Sequence, residues 1–283
     1  MERKGKERNR IRRMDLRKAA IVTGASSGIG LAICRTLCTL ECEGHKGNMG
    51  DKAECENTYP SEHTCQYEYE YGYEYEVFGF GRDFSDATEL LSFPNFHAIE
   101  GDLLETGKLS ERIRAIQKEY EVHVLVNNAG IGFYGLHEEL NPRKIQRLVR
   151  TNLELPMILS NLLLRNLKKT SGYIVNISSV TASLVNPHGC AYGATKAGLS
   201  SFSHSLYEEA RKYGVKVINI QPDMTKTNLY RDADFEQGEE VESYLLPEEV
   251  AEAMRFVLEQ REGVVVTDLT LRPQLHRIKR KPR

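Results

Sequence analysis

Ser179, Tyr192 and Lys196 are the residues whose types and spacing could do chemistry. They fall within one stretch, SVTASLVNPHGCAYGATK. Tyr192 and Lys196 stand four apart in a run, AYGATKAGLSSFSHSLYEEA, that predicts a helix, so both side chains share a face. A phenol titrates near pH ~10 and a lysine near ~10.4. A fixed ammonium beside the phenol favours phenolate and draws the tyrosine toward a useful acid–base range. Ser179, at the end of an apolar strand, can hold a carbonyl or alcohol oxygen while the proton moves. A tyrosine and a lysine at this spacing are common in helices, so their meaning depends on the elements that position them.

The first such element is the run at 19–23, AAIVT, which predicts a buried strand. It opens into Gly24-Ala-Ser-Ser-Gly-Ile-Gly30, with Ser26, Ser27, Gly28 and Ile29 in the turn, followed by the helical pattern LAICRTLCTL. Strand, glycine-rich turn and helix together deliver a diphosphate to a helix N-terminus. Glycine is required where a Cβ would block the approach or where φ is positive. A second strand, 77–81, ends at Arg82-Asp83. An acid at that strand end reads the ribose 2′-hydroxyl of NAD, whereas an arginine accommodates the 2′-phosphate of NADP. Arg82 follows the strand directly, so NADP(H) is the favoured cofactor, and Asp83 speaks for NAD(H).

The pattern then repeats. A strand at 96–100 ends in Gly101-Asp102-Leu103, and an amphipathic helix covers 109–120. An apolar strand at 122–126 ends in Asn127-Asn128-Ala129-Gly130, small and amide residues against which a flat ring can lie. Residues 142–167 predict one long helix or two, with Asn152 inside and a kink at Pro156. A strand at 172–177 delivers Ser178 and Ser179. The strand at 216–221 is followed by Pro222-Asp-Met-Thr-Lys-Thr227 and by an acidic stretch, 228–246, expected to be a mobile lid. A helix at 247–260 and a strand at 263–271 complete the series, and the basic tail 273–283 is expected to fray. Alternating strands and helices predict an α/β fold: a doubly wound parallel sheet of about seven strands, helices on both faces, in a single domain spanning 14–272. The candidate chemistry lies at the strands' carboxyl ends, the ligand side of such a sheet.

Two segments stand apart. Residues 1–13 hold seven Lys/Arg against two Glu and no apolar period, which predicts a disordered arm, and MDLRKAAIVTG from Met14 looks like a natural start. Residues 41–76 carry ten acidic and two basic side chains where a short connection is expected, so they predict an acidic insertion. Its Cys42, His45, Cys55, His63 and Cys65 lack zinc-site spacing, and no metal is expected. Overall, 40% apolar and 28% charged residues are those of a globular protein, and a net charge of −2 gives no case for nucleic acid. No apolar run reaches the ~20 residues that cross a bilayer. Six scattered cysteines behind no secretory signal are read as reduced thiols, which places the protein in the cytoplasm.

TGASSGIG at 23–30, NNAG at 127–130, NISS at 176–179 and YGATK at 192–196 together resemble the short-chain dehydrogenase/reductase family, in its shorter bacterial members. The resemblance runs from Ala19 to Leu271 apart from the insertion. It implies a Rossmann-type fold and an NAD(P)-dependent exchange between a carbonyl and a secondary alcohol. It further implies Tyr192 as general acid/base, Lys196 as pKa modulator and ribose anchor, Ser179 as carbonyl holder, and Asn152 as support for a water beside the lysine. Asp102 matches the adenine-contacting residue and Thr227 keeps the family's later threonine. A homodimer through the helices holding Asn152 and Tyr192, or a homotetramer, is implied as well. The family's Pro-Gly pair is Pro222-Asp223 here, which bears on the nicotinamide environment. The alternatives to an enzyme of this kind are a dinucleotide-binding regulator that docks a partner through the acidic insertion, and a nucleotide-sugar epimerase or dehydratase. The intact tyrosine and lysine weigh against the first and the glycine spacing against the second.

Overall fold

A computed structural model of the chain describes residues 16–40 and 74–281. The arm at 1–13 and the cysteine- and histidine-bearing part of the insertion lie outside the described residues.

Chain order gives β1 (Lys18–Thr23), α1 (Gly28–Cys38), β2 (Glu76–Gly81), α2 (Thr88–Leu91), β3 (Phe96–Glu100), α3 (Thr106–Glu119) and β4 (Glu121–Asn127). There follow α4 (Pro142–Val149), α5 (Leu155–Thr170), β5 (Tyr173–Ile177), α6 (Cys190–Ala210), β6 (Lys216–Pro222), β7 (Phe235–Gln237), α7 (Pro247–Leu258), β8 (Asp268–Leu271) and β9 (Ile278–Arg280). Among the described residues, seven strands form one sheet in the order β3-β2-β1-β4-β5-β6-β8, every pair parallel. The order reverses between β1 and β4, so the loops after those strands splay apart and leave a crevice at their carboxyl ends.

The apolar residues decide the layering. Side chains alternate along each strand. Ala20, Val22, Val124, Val126 and Ile218 face one layer with Leu37 of α1 and Val250, Met254 and Val257 of α7. Ala19, Ile21, Leu125 and Ile174 face the other with Ile113 of α3, Leu159 and Leu163 of α5, and Leu206 of α6. The β1–β4 register slips between Ala19, opposite Val122, and Ala20, opposite Val124. That slip lets Val122 and Leu125 serve the same layer despite their odd spacing. Each of the larger side chains among them, Val, Leu, Ile or Met, contributes about 1.5–3 kcal/mol of burial.

Of the one helix or two expected at 142–167, the structure has two, joined by a π turn over Arg150–Glu154, which contains Asn152. Pro156 sits in the first turn of α5, where its missing N–H costs no bond. The expected last strand is cut to Asp268–Leu271. Most unlike expectation is the tail. It does not fray: β9 pairs antiparallel with β7 of the acidic stretch, and Arg277–Glu240 and Lys279–Glu239 ion pairs flank the pairing. The charges complement each other across some forty positions, which no reading of the tail alone reveals. The insertion also ends earlier than its composition indicates. Tyr75 and Glu76 are buried, Glu76 opens β2, and the Glu74 N–H donates to the Leu40 carbonyl at 2.8 Å. The chain therefore leaves after α1 and re-enters before β2 at adjacent points.

Candidate active site

The glycine turn after β1 is shaped by what it must pack against. Gly24 (φ 66°) and Gly28 (φ 54°) occupy left-handed backbone. A Cβ on Gly30 would collide with the Gly24 carbonyl and the Asn128 amide. Asn128 staples the turn: its Nδ2 donates to the carbonyls of Thr23 (2.9 Å) and Gly24 (3.1 Å). Thr23 reciprocates, its buried hydroxyl accepting from the backbone N–H groups of Asn128 (3.1 Å) and Ala129 (3.0 Å). Thr23 is thus a site residue that strand patterning does not single out. Ser27 precedes α1 without capping it by its side chain, so the first N–H groups of that helix face the crevice.

A cavity of about 360 Å³ runs along the crevice. Gly24, Ser26, Ser27, Gly28, Ile29, Arg82, Asp102 and Leu103 line it. So do Asn128, Ala129, Gly130, Ser179, Tyr192, Lys196, Pro222 and Thr227. Of the candidate site residues, Gly30 and Asn152, and with them the alternative cofactor reader Asp83, do not line it. Gly30 is buried beneath the turn. Asn152, 1% exposed, binds protein instead: its Oδ1 accepts from the Ile131 N–H and its Nδ2 donates to the Ile131 carbonyl, both at 2.9 Å, and to Thr195 Oγ1 at 3.2 Å. Arg82 and Asp83 divide. Arg82 lines the cavity, whereas the Asp83 carboxylate accepts from the Ser85 N–H at 2.8 Å, outside the cavity lining, and that bond holds it below the usual carboxylate range. Asp102 Oδ1 accepts from the Leu104 N–H at 2.9 Å.

The three candidate catalytic residues in this lining are buried. Ser179 is 7% exposed, Tyr192 5% and Lys196 4%. Ser179 comes from the end of β5, where its hydroxyl accepts from the Thr181 N–H (3.2 Å) and hydrogen-bonds to Tyr192. Ser178 turns inward to the Lys196 carbonyl (3.0 Å) and Ser200 (2.9 Å), so Ser179 alone of the two serines faces the tyrosine. Tyr192 and Lys196 lie one turn apart on α6, as their spacing predicts. The electrostatics differ from expectation. Burial pushes the Tyr192 phenol up to about 12, with the Ser179 hydrogen bond pulling it back in part. Burial likewise pulls Lys196 down to about 8. The ammonium donates to the Ile177 carbonyl at 2.8 Å, 5.8 Å from the tyrosine ring centre, and desolvation outweighs its pull on the phenol.

Asp223, which replaces the family's glycine, accepts from the Met224 N–H at 2.8 Å and pairs with Arg272 at 3.1 Å. Its charge is compensated at the cavity wall. Three further aromatic residues were missed from sequence. Tyr134 lies 5.6 Å from Tyr192, 5.8 Å from Tyr230 and 5.2 Å from Phe235, measured between ring centres. Tyr134 comes from one segment and Tyr230 and Phe235 from another, and only the position of Tyr134, four residues after the NNAG run, gives a hint. Among the described residues, no group of three His, Cys, Asp or Glu is placed to hold a metal, and no helix is long and apolar enough to cross a membrane.

Comparison with known proteins agrees with this geometry. An uncharacterized oxidoreductase of Staphylococcus saprophyticus is 28% identical over 264 residues, covering 90% of this chain and 97% of its own. A 3-oxoacyl-(acyl-carrier-protein) reductase of Buchnera aphidicola is 30% identical over 172 residues, 58% of this chain and 70% of its own. Among solved structures, an alcohol dehydrogenase from Thermococcus sibiricus complexed with 5-hydroxy-NADP matches with TM-score 0.72 at 23% identity, covering 92% of this chain and 97% of that one. A short-chain dehydrogenase from Streptomyces avermitilis matches with TM-score 0.68 at 26% identity, covering 91% and 88%. The sequence profile of the short chain dehydrogenase family spans residues 70–237, more than half of the chain. On a sheet of this order and a turn of this shape, that span settles the matter of kinship: the chain belongs to the short chain dehydrogenase family of oxidoreductases.

Proposed function

We propose that the protein is an NADP(H)-dependent oxidoreductase that interconverts a carbonyl and a secondary alcohol. The observation that carries this reading is one cavity lined both by the glycine turn with Arg82 and by Ser179, Tyr192 and Lys196. A dinucleotide fits the residues present: the turn's backbone is left-handed at Gly24 and Gly28, and the first N–H groups of α1 lie open to a diphosphate. Ser26, Ser27, Gly28 and Ile29 would hold the phosphates, Arg82 the 2′-phosphate, Asp102 and Leu103 the adenine edge, and Lys196 a ribose hydroxyl. Bound there, the nicotinamide supplies or accepts the hydride.

The chain's own groups handle the proton. In reduction, the Ser179 hydroxyl donates a hydrogen bond to the carbonyl oxygen and fixes its position. The Tyr192 hydroxyl gives that oxygen its proton as the carbon–oxygen double bond becomes single. The resulting phenolate is stabilised by the Lys196 ammonium, and Tyr192 is reprotonated before the next turnover. A phenol with a high pKa is fully protonated at neutral pH, which suits the acid role. Asn152 fixes the backbone of Ile131 beneath the site and holds Thr195 in the turn between Tyr192 and Lys196. The Buchnera reductase and the Thermococcus alcohol dehydrogenase are named for reactions of this type, which supports the reading.

The proposal includes a homodimer through α4, α5 and α6; Val149 and Met157 are exposed apolar residues on the first two of these. Following NADPH absorbance across a panel of aldehydes and ketones tests the activity. Oxidation of NADPH dependent on one carbonyl class supports it, and no turnover with any carbonyl or alcohol at high enzyme concentration defeats it.

A further inference from the structure

Tyr192 and Ser179 are almost wholly buried, yet the proposed reaction requires a substrate oxygen to touch both. What covers Tyr192 is specific. Tyr134 packs on Tyr192, and Tyr230 and Phe235 pack on Tyr134 and on each other, their ring centres 5.5 Å apart. Tyr230 and Phe235 belong to one excursion of the chain. It is pinched at its base, where the Lys226 N–H donates to the Leu245 carbonyl (2.8 Å) and the Leu245 N–H to the Met224 carbonyl (2.7 Å). Between these closing bonds, residues 226–244 leave and rejoin the domain at a single place, the geometry of a lid with a fixed base.

The outer end of this lid is fastened by the C-terminal tail. β7 has β9 as its strand partner. Beyond the strands, the Leu275 N–H donates to the Glu242 carbonyl and the Lys281 N–H to the Asp234 carbonyl, each at 2.8 Å. Lys281 Nζ donates to the carbonyls of Tyr230 (2.7 Å) and Arg231 (3.1 Å), at the end of the short turn that carries Tyr230. Lys279 and Arg277 pair with Glu239 and Glu240. A two-stranded ribbon with exposed ion pairs is marginal by itself, so such a fastening opens readily.

We infer that the C-terminal strand is the latch of the substrate gate, and that Lys281 is a positioning residue which seats the Tyr230 ring over the reaction centre. This rests on the oxidoreductase reading for the word substrate, but not for the latch itself. With the latch shut, Tyr230 and Phe235 exclude water from Tyr192 and complete the aromatic wall against Tyr134. With it open, the lid turns about its base and the two hydroxyls are exposed.

The test uses the full chain, a Lys281→Met variant, a Lys281→Arg variant and a chain ended after Pro273. Hydrogen exchange of amides in 229–240, read by mass spectrometry without substrate, should be at least about tenfold faster in Lys281→Met and faster still in the shortened chain. Lys281→Arg, which keeps the donors, should restore slow exchange. Michaelis constants for the best carbonyl of the panel should rise about tenfold in Lys281→Met, while NADPH affinity, read by its fluorescence, stays within about twofold. Unchanged exchange in Lys281→Met overturns the latch, whether or not any carbonyl is turned over. Faster exchange with an unchanged Michaelis constant overturns the gate, since the lid would then open without affecting entry. If no carbonyl is turned over by the wild type, the oxidoreductase reading fails by itself and the exchange result still decides the latch.

Discussion

Lys196 stands 5.8 Å from the centre of the Tyr192 ring but spends a hydrogen bond on the Ile177 carbonyl, at 2.8 Å. The ammonium is therefore moored to the end of β5, the same strand that delivers Ser179. Strand and helix are thereby tied together beside the cavity, so Ser179, Tyr192 and Lys196 keep their spacing in the proposed site.

Replacing Tyr192 with Phe removes the proton donor and leaves a ring of the same shape. The kcat for carbonyl reduction should fall about 10²–10⁴-fold, with NADPH binding within about twofold of wild type. Stopped-flow and fluorescence titration measure both. Turnover near the wild-type level would refute the role given to Tyr192.

Lys196, drawn down to about 8 by burial, is charged below that pH and neutral above it. Carbonyl reduction should be level on the acid side and decline as pH rises through 8, while Tyr192 stays protonated. A profile that remains level to pH 10 counts against Lys196. The same shift has a sign for stability. The folded pKa lies below the unfolded one, so the buried ammonium destabilises the fold fully below pH 8, and the penalty fades as pH climbs toward 10.5. Lys196→Met should therefore be the more stable protein at neutral pH, by on the order of 2 kcal/mol after loss of the Ile177 hydrogen bond, and inactive. Urea unfolding at pH 7 and pH 10 checks the difference and its decline.

Arg82→Ala should weaken NADPH about 10- to 100-fold and leave NADH nearly untouched, because only the former has a 2′-phosphate to lose a charged contact. Titration of both nucleotides decides. Equal losses would show that Arg82 reads something common to the two.

Arg272→Ala leaves the Asp223 carboxylate, 10% exposed, without its ion pair beside the cavity. Affinity for the anionic cofactor should drop about tenfold, and Asp223→Asn in the same chain should recover most of it. Failure of the second substitution to rescue the first would mean that Arg272 acts through packing.

Much of the site is legible from spacing because its parts are local. Tyr192 and Lys196 are one helical turn apart, and the glycine turn is contiguous, so sequence alone defines both. Most of the expected site residues line one cavity because they follow the carboxyl ends of parallel strands, while helix α6 brings Tyr192 and Lys196 to the same place. What escaped is nonlocal. The direction of the Tyr192 shift depends on how much protein surrounds the phenol, which no neighbour in sequence states. Tyr134 meets Tyr230 and Phe235 from a distant segment. Asn128, expected beside a flat ring, also works as a staple on Thr23 and Gly24. The tail looks like a free basic end until its acidic complement in 239–240 is found opposite it.

The hydrogen bond between Leu40 and Glu74 makes the entry and exit of the acidic insertion a single doorway in the surface. Whatever the intervening sequence does, the sheet needs only that the doorway stay closed. A short link across it is therefore expected to serve the sheet in place of residues 41–73. A four-residue bridge in their place should leave the strand order intact and raise stability by about 2 kcal/mol, the chain entropy of closing a shorter loop. The same doorway can seat a foreign peptide without either neighbouring element being rebuilt.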